Sequence, residues 1–140
     1  MDVNKNSYTF TFAAVMVIVV AALLSFAATS LKPIQDDNVR KEKMQSILRS
    51  VKIDVDRDQA EKDYKKYIKQ ELVIRDGKLV DDVKAFTIDL SKEVAKPVEE
   101  RNAPLYVAEK EGKTYYIIPL RGKGLWGPIW GYMSLEGDVN

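Results

Sequence analysis

Four of the chain's seven glycines and both of its tryptophans fall within eleven residues, Arg121-Gly122-Lys123-Gly124-Leu125-Trp126-Gly127-Pro128-Ile129-Trp130-Gly131. Glycine lets a backbone come close to a ligand, and indole offers a broad, flat apolar face. Together they suit a planar cofactor. The segment is not a phosphate loop. Gly122-x-Gly124 lacks the third glycine of a dinucleotide fingerprint, and no Gly-Lys-Ser/Thr follows. Residue types alone favour a plainer reading, a Gly/Pro corner between strands with Trp126 and Trp130 buried in a core.

Elsewhere the absences carry the information. The sequence has no histidine and no cysteine. That removes Ser-His-Asp and Cys-His nucleophiles, thiol redox chemistry and the usual zinc sites. Lys, Asp, Glu and Tyr remain as possible acids or bases, with no paired-carboxylate motif among them. Demanding redox or group-transfer chemistry would therefore need a cofactor to carry it. Formal net charge is +1, with Lys+Arg 22 against Asp+Glu 21, which gives no electrostatic case for nucleic acid. The basic clusters at Arg40-Lys41-Glu42-Lys43 and Lys62 to Lys66 are interrupted by acids and read as solvated faces.

The elements that would position this segment begin with an uncharged run from Asn6 to Leu31. It is long enough to cross a bilayer, which takes about 20 mainly apolar residues. A cleaved secretory signal is the competing reading, with Lys5 as a weak charged region and Ser25-Phe26-Ala27 as a loose cleavage site. The stretch outlasts the usual apolar region of about 7 to 15 residues, and no Pro or Gly breaks it, so an uncleaved single-pass anchor is favoured. Basic residues cluster after the span, at Lys32, Arg40, Lys41, Lys43 and Arg49, which taken literally keeps the following domain cytoplasmic. Long domains translocate largely regardless of charge, so residue counts leave the side open.

Pro33 is expected to end the membrane helix, with Asp36-Asp37-Asn38 as the N-cap cluster of a new one. From Val39 to Lys52, Met44, Ile47, Leu48 and Val51 recur at helical spacing and are expected to pack against the chain's own domain. A second helix is expected over Arg57 to Lys69, its apolar face formed by Ala60, Tyr64, Tyr67 and Ile68. Asp76-Gly77 between Leu72-Val73-Ile74 and Leu79-Val80 signals a type I′ hairpin. Phe86, Ile88 and Leu90 alternate with polar residues as in a strand. Ser91 to Asn102 reads as a connector with a helical turn. Leu105 to Ala108 and Thr114 to Ile118 are expected strands whose turn uses Gly112, and Gly131 to Leu135 is another. The predicted class is α+β: a single N-terminal transmembrane helix, then a mixed helix and mainly antiparallel-sheet domain.

Three stretches together resemble the C subunit of the bacterial sodium-translocating NADH:quinone reductase. They are Asn4-Lys5-Asn6-Ser7-Tyr8-Thr9-Phe10 ahead of an apolar span, Leu31-Lys32-Pro33 with Gln35 after it, and Gly122-Lys123-Gly124-Leu125-Trp126-Gly127-Pro128-Ile129-Trp130-Gly131-Tyr132. The Gly-Leu-Trp-Gly stretch is the most specific of them. The resemblance covers the whole chain but only the front portion of such a protein. It implies a helix anchored in the bacterial inner membrane and a flavin-binding domain on the periplasmic side. It further implies FMN joined through its phosphate to a threonine, and partner subunits that couple NADH-to-quinone electron transfer to sodium export. A related subunit of the ferredoxin-linked Rnf complex has the same architecture.

The implied domain plan is a short tail over 1–6, a transmembrane helix over 7–31, a juxtamembrane helical connector over 32–56, and the N-terminal portion of a flavin-binding-type domain over 57–140. Gly124, Leu125 and Trp126 are the implied wall of the flavin pocket. The family's Ser/Asp-Gly-Ala/Ser-Thr attachment motif is absent: none of Thr9, Thr11, Thr29, Thr87 or Thr114 has those neighbours. No attachment residue is therefore carried over, and the expectation is that the sequence stops short of it. The alternative class is a membrane-anchored scaffold or assembly module without redox chemistry. A pilin-like stem fits it poorly, since no Glu occurs before Glu42.

Overall fold

The computed structural model describes residues 6–137; Asn4 and Lys5 of the N-terminal motif, most of the tail expected over 1–6, and Asp138 to Asn140 lie outside the described residues. The chain divides into two units, Met1–Val39 and Arg40–Asn140. Helix α1, Asn6–Ser50, contributes to both.

Within the first unit α1 is long and apolar enough to cross a membrane, with a mean hydropathy of 2.6 over its most apolar 18-residue window and none of that window buried. Two of its hydroxyls are satisfied within the helix: Thr11 Oγ1 donates to Ser7 O and Thr29 Oγ1 to Ser25 O, both at 2.8 Å. This is the arrangement a nonaqueous surround requires of polar side chains.

Pro33 does not end the helix, and Asp36-Asp37-Asn38 is no N-cap, because α1 runs through both. A proline inside a helix removes one ladder bond and crowds the carbonyl four residues earlier, at a cost of about 3 kcal/mol. That penalty is local. Stopping and restarting would add a second nucleation, and nucleation is the unfavourable step in helix formation.

The second unit begins with the end of α1. Met44, Ile47, Leu48 and Val51 are buried, as their spacing predicts, and Ile47 and Leu48 have no exposed surface. The helix closes in a Schellman turn: Ile53 N donates to Leu48 O at 3.1 Å, Lys52 N to Arg49 O at 3.0 Å, and Lys52 takes φ 58°. Helix α2 spans only Ala60–Tyr67, shorter than predicted. Ile68 is buried as expected, but as the first residue of strand β1, Ile68–Arg75.

The hairpin at Asp76-Gly77 forms as predicted, joining β1 to the two-residue β2, Lys78–Leu79. Both turn residues have positive φ, 49° and 71°, as a type I′ turn demands. The strand expected through Phe86, Ile88 and Leu90 is absent. A 3₁₀ turn at Ala85–Thr87 and the short helix α3, Leu90–Glu93, stand there instead. Asp89 decides this: its carboxylate accepts from Ser91 N at 2.9 Å and from Ser91 Oγ at 2.6 Å, which caps a helix and competes with any ladder. The buried residues are then Ala85 and Ile88, three apart, rather than the alternating set.

Strands β3, Ala103–Lys110, and β4, Lys113–Lys123, are joined by Glu111-Gly112, again with both φ positive, at 53° and 77°. Strand β5, Pro128–Glu136, is longer than predicted. The sheet order is β2-β1-β3-β4-β5, antiparallel throughout. The expected α+β class with an antiparallel sheet is thus the observed one.

One face of the sheet carries Val73, Tyr106, Ala108 and Ile117, which join Ile47, Leu48, Ala60 and Tyr64 in a single core. Tyr106 has no exposed surface; its hydroxyl donates to Ala85 O at 3.2 Å and its ring meets Tyr132 edge-on at 6.4 Å. Neighbouring residues on each strand point the other way. Leu72, Leu105, Val107, Tyr116 and Ile118 therefore form a second face with only partial cover. The loop before β3 is pinned by Glu93, whose carboxylate accepts Asn102 N at 2.9 Å and Lys96 Nζ at 2.8 Å. Those bonds, the backbone one foremost, hold the carboxyl below its usual range.

Candidate functional site

The glycine- and tryptophan-rich segment is the tip of the β4–β5 hairpin. β3 pairs with β4 only as far as Ile117, whereas β5 accompanies β4 out to the Lys123–Pro128 pair. The last residues of the two strands therefore form a two-stranded arm beyond β3. A four-residue loop, Gly124 to Gly127, closes it through a bond from Gly124 N to Gly127 O of 2.8 Å.

Two of the glycines are required for different reasons. A Cβ on Gly124 would lie 2.6 Å from Ile129 Cδ1 and 2.9 Å from Gly127 O. At Gly127 the space is open, but φ is 152°, a conformation that side-chain-bearing residues rarely adopt.

This geometry places the tryptophans outside the core. Trp126 is 97% exposed, Leu125 93% and Trp130 58%. The expected burial of Trp126 and Trp130 is therefore overturned. The reason is topological: β4 and β5 run on past the end of their pairing with β3, and the tight loop carries its two central residues past the last ladder pair.

Along the arm lies an open groove of about 530 Å³, lined by Gly122, Gly124, Leu125, Gly127 and Pro128, by Arg121 and Lys123, and by Val94 from beyond α3. Ligand sites commonly measure about 300–1,000 Å³. Of the three positions picked from sequence, Gly124 and Leu125 line the groove and Trp126 stands outside its lining. Arg121 and Lys123, two apart on one strand, project to the same side. They give a mostly apolar surface a cationic margin. Their alternation was visible in the sequence; Val94, 27 residues earlier, carried no local signal there. Asp89 also lies within the field of Arg121, although its carboxyl is held below the usual range chiefly by the Ser91 hydroxyl and amide.

Three of the acid–base candidates left by the composition are committed to structure. Tyr64 donates to Glu71 Oε1 at 2.8 Å, and burial pushes its hydroxyl well above the usual tyrosine range. Burial pushes Tyr132 up to about 12. Lys43 donates to Phe86 O and lies 4.7 Å from the centre of that ring, with burial lowering its pKa. None of these faces the groove. The groove is a mostly apolar surface with two cations beside it.

No family model matches the chain. It is 26% identical over 156 aligned residues to the C subunit of the Na(+)-translocating NADH-quinone reductase of Haemophilus ducreyi, covering 98% of this chain and 61% of that protein. The same protein of Pseudomonas aeruginosa is 43% identical over 42 residues, 29% of this chain and 16% of that one. The crystal structure of its counterpart from Parabacteroides distasonis matches with a TM-score of 0.69 at 36% identity, over 77% of this chain and 52% of that one. The chain thus spans less than two thirds of the length of these relatives. The resemblance drawn from its motifs holds: this chain is similar in sequence and in fold to the reductase's C subunit.

Proposed function

We propose that this chain is a membrane-anchored electron-transfer subunit of a sodium-translocating NADH:quinone oxidoreductase. The observation that carries the reading is the match to the Haemophilus ducreyi protein over nearly the whole chain, together with a groove of suitable size beside the Gly-Leu-Trp-Gly loop. In this reading residues 7–31 cross the bacterial inner membrane, 32–56 connect, and 57–140 form a flavin-binding-type domain on the periplasmic side. The remaining subunits of the complex and the lipid bilayer are its partners. The stretch from Asn6 to Leu31 has no acidic or basic side chain. Such groups mark ion routes in membranes, so the sodium path belongs to other subunits.

FMN is the cofactor this reading requires, and when bound it supplies electron acceptance and donation. What the chain contributes is placement. Gly124 lets the backbone approach, Leu125 gives an apolar wall, and Arg121 and Lys123 offer positive charge to a phosphate. Trp126, exposed at the tip, is free to cover a flat ring. Burial and hydrogen bonds at such a wall tune a flavin's potential.

The test is Trp126→Ala and Leu125→Ala in the intact complex. A covalently held flavin stays bound without the stacking contact, but the surroundings of its ring change. We expect a shifted flavin absorption band with the complex otherwise assembled. An unchanged spectrum in both variants would remove these residues from the site.

A further inference from the structure

Among the described residues lining the groove, Val94 alone does not belong to the β4–β5 arm. An arm by itself offers a single surface, so Val94 supplies the groove's second side. Apolar packing does not hold it there. Leu90 packs against the core, but Val94 and Val98 are 46% and 68% exposed. The four residues of α3 make too short a helix to be rigid through their own bonds.

A polar clamp takes the place of packing. The Glu93 carboxylate is almost wholly buried and reaches forward, accepting Asn102 N at 2.9 Å and Lys96 Nζ at 2.8 Å. Arg101 reaches back: its Nη2 donates to Val94 O at 3.1 Å and its Nε to Lys96 O at 2.8 Å. Residues 93 and 94 thus exchange bonds with 101 and 102. The clamp is also tied to the sheet. Asn102 Oδ1 accepts Arg75 Nε at 2.8 Å, and Arg75, the last residue of β1, donates to both carboxylate oxygens of Asp82. A buried carboxylate is costly to desolvate, and apolar contacts of the same volume would often stabilise as well or better. Hydrogen bonds, however, have preferred angles and fix where a backbone stands, which non-directional apolar contact does not.

We infer that Glu93 and Arg101 are positioning residues for the groove: their clamp fixes Val94 as its second wall and so sets the width left for a ligand ring. The inference rests on the reading that the groove takes a flavin. Neither residue lines the groove, and both act through Val94.

The test uses the full chain in the intact complex, with Glu93→Ala, Glu93→Gln, Arg101→Ala and the double alanine variant. Hydrogen exchange at the Asn102 amide reads the clamp, and the flavin absorption band reads the groove. Glu93→Ala removes that amide's acceptor, so its exchange is expected to rise at least about tenfold, the factor for about 1.4 kcal/mol. Arg101 makes no bond to this amide, yet Arg101→Ala is expected to speed its exchange too, because the clamp closes from both sides. Both variants shift the flavin band in the same direction. The double variant shifts it no further than the larger single change, since one wall is lost either way. Glu93→Gln keeps a carbonyl that accepts Asn102 N and is expected to return both readouts most of the way to wild type. Normal exchange at Asn102 in Arg101→Ala would overturn the clamp. Faster exchange with an unmoved flavin band in the alanine variants would overturn its role at the groove and leave a loop staple. A complex without flavin would overturn the flavin reading and this inference with it, and that is seen in the wild type before any variant is compared.

Discussion

Tyr106→Ala is expected to lower the stability of the second unit by about 3–5 kcal/mol, the range for deleting a buried aromatic side chain. Tyr106 is fully buried at the middle of β3, and the residues paired with it are Glu71 on one side and Ile117 on the other. Its removal would leave a cavity in the core that it shares with Ile47, Leu48, Ala60 and Tyr64. Small domains hold only about 5–15 kcal/mol in total, so the variant would be largely unfolded at growth temperature.

Tyr106→Phe separates packing from hydrogen bonding. It keeps the ring and loses only the bond to Ala85 O, which at 3.2 Å is long, and that carbonyl also accepts Ile88 N at 3.3 Å. Phenylalanine should therefore cost about 1 kcal/mol, the low end for a lost bond. Urea unfolding of the full chain in detergent, followed by far-ultraviolet circular dichroism, checks both variants. Equal losses for Ala and Phe would show that the hydroxyl, not the ring, dominates.

Gly124→Val is expected to open the hairpin tip while leaving the core intact. Ile129 is exposed and could rotate away from a new Cβ, but Gly127 O belongs to the backbone, and its contact at 2.9 Å cannot be relieved without moving the loop. Forcing side chains into filled space costs about 1–3 kcal/mol. Gly127→Ala should reach a similar end by backbone strain of about 1–3 kcal/mol. Gly122→Ala is the control, since nothing lies within 4 Å of its Cβ position and its φ is not positive. Hydrogen exchange at the Gly124 amide reads the loop directly through its bond to Gly127 O. Exchange should accelerate at least tenfold in the first two variants and remain unchanged in the control. Unaltered exchange in Gly124→Val would mean the loop accommodates the side chain.

The parts of the fold legible in the sequence were those whose cause is local. Asp76-Gly77 and Gly112 stand where positive φ is needed, and each makes its turn. Met44, Ile47, Leu48 and Val51 lie on one helical face, and burial follows from that spacing. The failures have non-local or competing causes. Pro33 reads as a stop, yet continuation of α1 on both sides outweighs one lost bond. Phe86, Ile88 and Leu90 alternate like a strand, but the Asp89–Ser91 cap was the stronger signal in the same window.

At the site, the segment itself was found because its composition is unusual, and Gly124 and Leu125 do line the groove. The exposure of Trp126 and Trp130 was not legible. It depends on how far β4 and β5 outrun β3, which is set by pairing across the sheet and not by any residue in the loop.

The central claim is that this chain works as a flavin-linked electron carrier within a membrane complex. The most direct measurement is affinity isolation of the full chain from native membranes in mild detergent, with the flavin spectrum, polypeptide content and sodium-stimulated NADH:quinone reductase activity of the eluate recorded together. The account predicts a yellow eluate in which the chain is accompanied by the other subunits of an active reductase. A colourless eluate of assembled chain, without flavin or reductase activity, would contradict it and leave an anchored scaffold in its place.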